Sequence, residues 1–321
     1  MTGYKKNIHR RTAAAFLAAM FFLAGCASDK NGRPFLEKKA AGLEAAGADA
    51  YGGGDYGASL RKFSEALAAN RSVDNRAGEL SDLINIGRVL ILLGDYGSSV
   101  SYLNEAITLA AGIKDDANLS EARATLAKAH YSSGNGAMAA DEIDAALAID
   151  ERLGAVSGAK LNLKASILMD TGRAIEAKEL LKKALKNSES ADDITEAANA
   201  LRLLAGIESA EGTDGSAALK FYERAYELDK TLGNPFKIAV DLKNMAALNL
   251  RAGRVNDAAF LFERHYTAAK TIGLLAEAVL SIEELIKIYT ASGDGKKASE
   301  YIILKDSLIQ AQGARISNAE K

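Results

Sequence analysis

A glycine recurs along this chain at Gly54, Gly94, Gly134, Gly172, Gly212, Gly253 and Gly293, at intervals of 40, 40, 38, 40, 41 and 40 residues. Returns this regular mark one structural unit used repeatedly, and periods of roughly 20–50 residues belong to stacked or arrayed architectures. One unit is legible in Gly94–Leu109, GDYGSSVSYLNEAITL. Gly94 closes a helix, because glycine takes the left-handed conformation that helix ends often require. Asp95-Tyr96 opens the next helix, on which Val100, Leu103 and Ile107 share one face with Ser99 and Ala106 beside them.

Other positions recur in step with the glycine. Eleven residues before it stand Leu43, Leu83, Leu161, Leu201, Leu242 and Ile282, with Arg123 in the third unit. Seven before come Gly47, Gly87, Ala127, Ala165, Ala205, Ala246 and Ile286; five after come Ser59, Ser99, Ala139, Ala177, Ala217, Ala258 and Ala298. Nine after stand the large residues Phe63, Leu103, Ile143, Leu181, Phe221, Phe262 and Ile302. Two antiparallel helices approach closely where one offers a small residue to the other's large one. A single hairpin of this kind cannot bury its apolar face, so it must stack on neighbours.

At these residues the chain resembles the tetratricopeptide repeat family over roughly residues 40–312. The shared pattern is leucine and a small residue in the first helix, a Gly-Asp-Tyr turn, and alanine, aromatic, alanine in the second. The resemblance implies an all-α fold, a right-handed α-solenoid of about seven helix-turn-helix repeats. The period of 40 departs from the family's roughly 34 residues, and resembles the long-period variant of kinesin light chain and some bacterial regulators. The second helices are expected to carry the extra length, running into Leu153-Gly154, Leu232-Gly233 and Ile272-Gly273. Twelve residues after the glycine, Ala66, Ala106, Ala146 and Ala184 give way to Arg224, His265 and Lys305, so the C-terminal end reads as a degenerate cap. Asn118 with Glu121, and Asn234 with Pro235, read as helix starts.

Residues 1–25 read as an export signal: Lys5, Lys6, Arg10 and Arg11 form a basic region, and Ala13–Leu23 an apolar core too short for a good membrane span. Leu23-Ala24-Gly25-Cys26 resembles the bacterial lipoprotein box, which implies lipidation of Cys26, the only cysteine in the chain. Acyl tails at about 0.8 kcal/mol per buried methylene would tether the protein stably without spanning the bilayer. Ala27 and Ser28 follow, which in enterobacterial lipoproteins is the outer-membrane sorting state. The expected organisation is a removed signal at 1–25, a lipidated tether at 26–39, repeats at 40–312 and a polar tail at 313–321. The expected location is the cell envelope, facing the periplasm.

Catalytic chemistry finds little support. Net charge is −2, and losing the four cations of residues 1–25 leaves −6, unsuited to nucleic acid. Gly52–Gly57, GGGDYG, matches a dinucleotide fingerprint in letters but lies between two helices, and no Walker-type phosphate loop exists. His130 and His265, 135 residues apart, and acidic pairs such as Asp115-Asp116 and Asp192-Asp193 read as packing and turn residues. No catalytic residue, metal or cofactor is expected.

What the resemblance does imply is a binding groove lined by first helices. Carried over, its positions are Asn85, Arg88, Lys128, Tyr131, Asn162, Asp170, Asn199, Arg202, Lys243, Asn244 and Arg251, with Tyr51 adding flat contact area. This lining is net basic and suits an acidic segment or a carboxylate terminus of another protein, since Arg forks carboxylates bidentately. Two readings stay open: an envelope scaffold that binds another protein, and a sensor that binds a peptide or small ligand.

Overall fold

The computed structural model describes residues 35–211 and 215–319, with side chains to 310; Cys26, the export signal and Gly212 lie outside the described residues. Fourteen helices and no strand occur among the described residues: α1 (Phe35–Gly52), α2 (Tyr56–Ser72), α3 (Arg76–Leu92), α4 (Tyr96–Ile113), α5 (Asp116–Ser132), α6 (Gly136–Leu153), α7 (Gly158–Asp170), α8 (Ala174–Ser190), α9 (Ile194–Glu211), α10 (Ser216–Leu232), α11 (Pro235–Arg251), α12 (Val255–Thr271), α13 (Leu275–Ala291) and α14 (Gly295–Ala319). They form two compact units that divide after Leu180, within α8. In the first unit each helix from α1 to α7 packs on the next, and the first helices α1, α3, α5 and α7 also touch in series. In the second unit α9 to α14 pack in the same consecutive way. The fold is all-α, built of stacked helical hairpins.

The 40-residue period resolves into two helices of 17 or 18 residues and two short turns, as in α3 and α4. First and second helices are alike in length, so the second helices do not carry the added residues alone. The one 38-residue interval arises because α7 has only 13 residues. Each described hairpin turn holds its glycine at positive φ, from 72° at Gly253 to 82° at Gly134. The turns between hairpins use the same left-handed geometry at Asp74, Lys114, Gly154, Asp192, Gly233 and Gly273. Side chains cap many starts: Asp95 accepts from the Ser98 amide at 3.1 Å, and Asn234 from Lys237 at 3.1 Å with Pro235 behind it. The third hairpin starts at Asp115, which accepts from Asn118 at 3.0 Å, so Asn118 is the capped residue and not the cap.

Close crossing of paired helices is visible at the glycines. A Cβ on Gly87 would lie 2.6 Å from Leu103 Cγ, and one on Gly47 3.0 Å from the Phe63 ring. The serines facing these glycines donate across the gap, Ser99 Oγ to the Gly87 carbonyl at 2.9 Å and Ser59 Oγ to the Gly47 carbonyl at 2.9 Å. In later units alanines such as Ala127, Ala139, Ala165 and Ala177 fill both positions, fully buried. Arg123, the exception at the anchor position, reaches Glu142 on α6 at 2.6 Å. Around the crossings Leu80, Leu83, Ile86, Leu126 and Ile143 are buried, each large aliphatic contributing about 1.5–3 kcal/mol.

The fifth hairpin corrects the sequence register. Its turn is one residue longer, so Ala218, Tyr222 and Ala225 are buried in place of Ala217, Phe221 and Arg224. The change at the twelfth position therefore begins one unit later, at the buried His265. In the last hairpin Ile286 occupies the small position, and Ile302 opposite it stays 44% exposed. Replacing Gly87 with Leu should destabilise the protein by about 1–3 kcal/mol through overpacking against Leu103. Gly42→Leu, where added atoms meet open space, should cost far less; urea midpoints of the two variants measure the difference.

Candidate protein-interaction face

Spacing of the first helices places one line of polar residues on their common side in each unit. In the first unit Arg88 on α3 and Lys128 on α5 stand six residues before their turn glycines, at equivalent positions of touching helices. Arg88 is half-buried and bonds Asn85 at 3.0 Å within its own helix and Glu121 on α5 at 2.5 Å. Lys128 is exposed. Tyr131 is hydrogen-bonded to Asp170 on α7, and burial, followed by that carboxylate, pushes its hydroxyl up to about 12. Asn162 is buried, and Tyr51 packs edge-on to Tyr56 with ring centroids 5.9 Å apart. Burial raises the Tyr51 hydroxyl, and nearby Arg88 opposes that rise.

In the second unit Arg202 is drawn further inward, while Lys243 and Arg251 stay accessible. Arg202 bonds Asp241 through two nitrogens, at 2.7 and 3.1 Å, takes the Asn199 oxygen at 3.1 Å, and pairs with Asp229 as well. Its side chain is only 10% exposed. Burial raises the Asp241 carboxyl and Arg202 opposes that rise. Lys243 pairs with Glu277 at 2.7 Å, Arg251 donates to the Ser209 carbonyl and hydroxyl at 3.0 and 2.8 Å, and Asn244 is half-buried. Carboxylates of the next first helix thus answer much of the basic lining read from sequence. The signal for them lies in the spacing, since the partners Glu121, Asp241 and Glu277 follow their cations by 33, 39 and 34 residues.

Three buried polar nodes lie behind this face, and two of them escape a search for motifs. Asn70 donates to Glu44 at 2.9 Å and Asp82 at 2.8 Å, accepts from Asn75 at 2.8 Å, and lies over Gly78, whose Cβ would sit 2.6 Å away. Burial pushes the Asp82 carboxyl up to about 8. Lys160 pairs with Asp150 at 2.8 Å and reaches Ser120 Oγ at 2.6 Å. Ser120 is fully buried, which denies a Ser–Lys nucleophile any substrate. The third node is Arg202 with Asp229 and Asp241. His130 is buried within α5, and His265 touches Ser281, its ring held below the usual imidazole range by burial. Gly52–Gly57 forms the end of α1, a turn and the start of α2.

The tetratricopeptide repeat family matches residues 83–112 and 161–190, each segment opening on an anchor leucine. These segments lie in α3–α4 and α7–α8, so the chain carries tetratricopeptide repeats where the hairpins are seen. The signal-transduction ATPase from Pyrococcus horikoshii that has a tetratricopeptide repeat sensor is similar at TM-score 0.71 and 17% identity, over 94% of this chain and 46% of that one. The apo quorum sensor NprR from B. thuringiensis is similar at TM-score 0.59 and 14% identity, over 94% of this chain and 95% of that one. A Rap protein complexed with competence and sporulation factor is similar at TM-score 0.62 and 14% identity, over 89% of this chain and 78% of that one. No match is found among curated proteins.

Two measurements bear on the nodes. Asp82 holds a proton in the fold that the unfolded chain releases near pH 4, so its contribution to stability is full below that pH and is lost as pH rises through about 8. Urea midpoints should therefore fall between pH 5 and 9, and Asp82→Asn should flatten that slope. Arg202→Met should destabilise by about 3–5 kcal/mol by leaving two buried carboxylates without their cation. A loss below about 1 kcal/mol in urea unfolding would show that the node is well solvated.

Proposed function

We propose that this protein is a non-catalytic tetratricopeptide scaffold that binds a segment of another protein along its first helices. In this reading it is tethered through Cys26 to a bacterial envelope membrane, facing the periplasm, and serves assembly, secretion or pilus-type machinery. The observation that carries the binding reading is the first-helix face of the first unit. Lys128 is exposed there beside the Arg88–Glu121 pair, with the Tyr131 ring on the same helix. An acidic segment would add a carboxylate at Lys128 and compete with Glu121 for Arg88, and the half-buried setting strengthens such contacts.

A second reading, a peptide or small-ligand sensor, gains support from the company the fold keeps: a sensor domain, a quorum sensor and a Rap protein holding a factor. Binding in that case would change the inter-repeat pairs, since Arg88–Glu121 and Lys243–Glu277 each join consecutive first helices.

Crosslinked pull-down from native membranes, with wild type beside an Arg88→Gln/Lys128→Glu variant, tests the scaffold. Wild type should recover one protein that the variant loses, with melting temperatures close together because Lys128 is exposed. Recovery that ignores both substitutions would move the binding site elsewhere. Cys26→Ala in the same preparation should leave the membrane fraction, and its retention there would remove the lipid anchor from the proposal.

A further inference from the structure

The start of α1 can be set beside those of the later first helices. Nineteen residues before their turn glycines, two later units carry Leu153 and Leu274, and the other four carry the capping residues Asn75, Asp115, Asp193 and Asn234. Each of these four side chains accepts from the amide three residues on, at 3.3, 3.0, 3.1 and 3.1 Å. The first unit has Phe35 at this position, followed by Leu36, and these side chains are 79% and 37% exposed. A helix gains nothing locally from exchanging a capping side chain for an exposed aromatic ring. Lys38 and Lys39 follow, both exposed, and the segment 27–39 carries Lys30, Arg33, Lys38 and Lys39 against Asp29 and Glu37. It is locally cationic in a chain whose mature charge is negative.

Distance supplies the second constraint. Phe35 lies nine positions after Cys26, and an extended chain of that length reaches about 30 Å. We infer that the start of α1 docks on the membrane surface, Phe35 and Leu36 entering the headgroup boundary and the lysines meeting anionic headgroups. The inference rests on the proposed lipid at Cys26, which would hold this end near the bilayer at high effective concentration. Apolar residues flanked by lysine are what interfacial helices present to such a boundary. No described helix is long and apolar enough to cross the membrane, so the contact is with its surface. The first hairpin would then sit at the bilayer as a second point of attachment.

The chain has no tryptophan and one cysteine, which permits a direct test. The mature chain is coupled through Cys26 to a maleimide lipid in vesicles of phosphatidylcholine with phosphatidylglycerol, carrying either F35W or, as control in the second unit, F260W. Phe260 is 59% exposed, so both reporters start in water. Brominated lipid should quench F35W severalfold more than F260W, with a blue shift in its emission. Adding K38E and K39E should weaken that quenching on anionic vesicles. A water-like F35W spectrum, or equal quenching of both reporters, overturns the docking. Because the lipid is attached chemically, failure here faults the docking and not the cellular anchor, which Cys26→Ala fractionation examines separately.

Discussion

Everything in this chain depends on one close approach, a small residue on the first helix of a hairpin under a large one on the second. Gly87 beneath Leu103 and Gly47 beneath Phe63 bring the paired backbones near enough for a serine hydroxyl to reach the opposite carbonyl. Once that distance is set, the turn has few solutions. A three-residue connection between antiparallel helices needs a left-handed residue, and glycine supplies it without strain. Leu103 is also covered by Leu126 and Ala129 of the next first helix; no described hairpin follows the last one, and Ile302 there is 44% exposed.

Small-to-large packing is nearly the same in every hairpin, so it cannot by itself decide which hairpin stacks on which. The buried polar nodes add that information. They stand where the end of a second helix meets the next first helix, as Asn70 with Asp82, Asp150 with Lys160, and Asp229 with Asp241. Between them the corresponding residues include the fully buried Ala110 and Ala122, and later Ala269 with Ser281. Among the described residues only the junction at Ala110 and Ala122 is free of a buried polar group at these positions, since Ser281 touches His265 and Ser188 is buried at the α8–α9 junction. A slipped stack would bury Asp229 or Asp150 against alanine, and an unpaired buried charge is far more expensive than a poor apolar fit. We read the nodes as register marks, a role buried polar groups have in other helical assemblies.

The hairpins were legible in sequence because their determinants are local and periodic. Gly54, Gly94, Gly134, Gly172, Gly253 and Gly293 all take the positive φ expected of turn glycines. Three matters escaped. Turns between hairpins take the same conformation at Asp74, Lys114 and Asp192, where no glycine announces it. In the fifth hairpin one added turn residue moved burial from Phe221 to Tyr222, because helix packing follows the face and not the count from Gly212. The partners of the first-helix cations lie a repeat away, so a reading of each helix alone saw free charge. Glu121, Asp241 and Glu277 come into view only when consecutive units are laid side by side.

Those partners reshape what the face can bind. A lining of unopposed cations would attract any polyanion, with little selectivity and strong salt dependence. Arg88 held by Glu121, Lys243 by Glu277, and Arg202 enclosed by Asp229 and Asp241 leave a surface that is nearly balanced in charge. A ligand gains there only by placing its carboxylate where it outcompetes a resident one, which requires fit as well as charge. Arg202 is too enclosed to be offered at all, whereas Arg88 is half-exposed and Lys128 stands open. Lys243 and Arg251 in the second unit are exposed to a similar degree, and displacing Glu121 from Arg88 would also disturb the 3.8 Å contact of Glu121 with Lys160, so exchange at the α3–α5 junction reaches the buried node behind it.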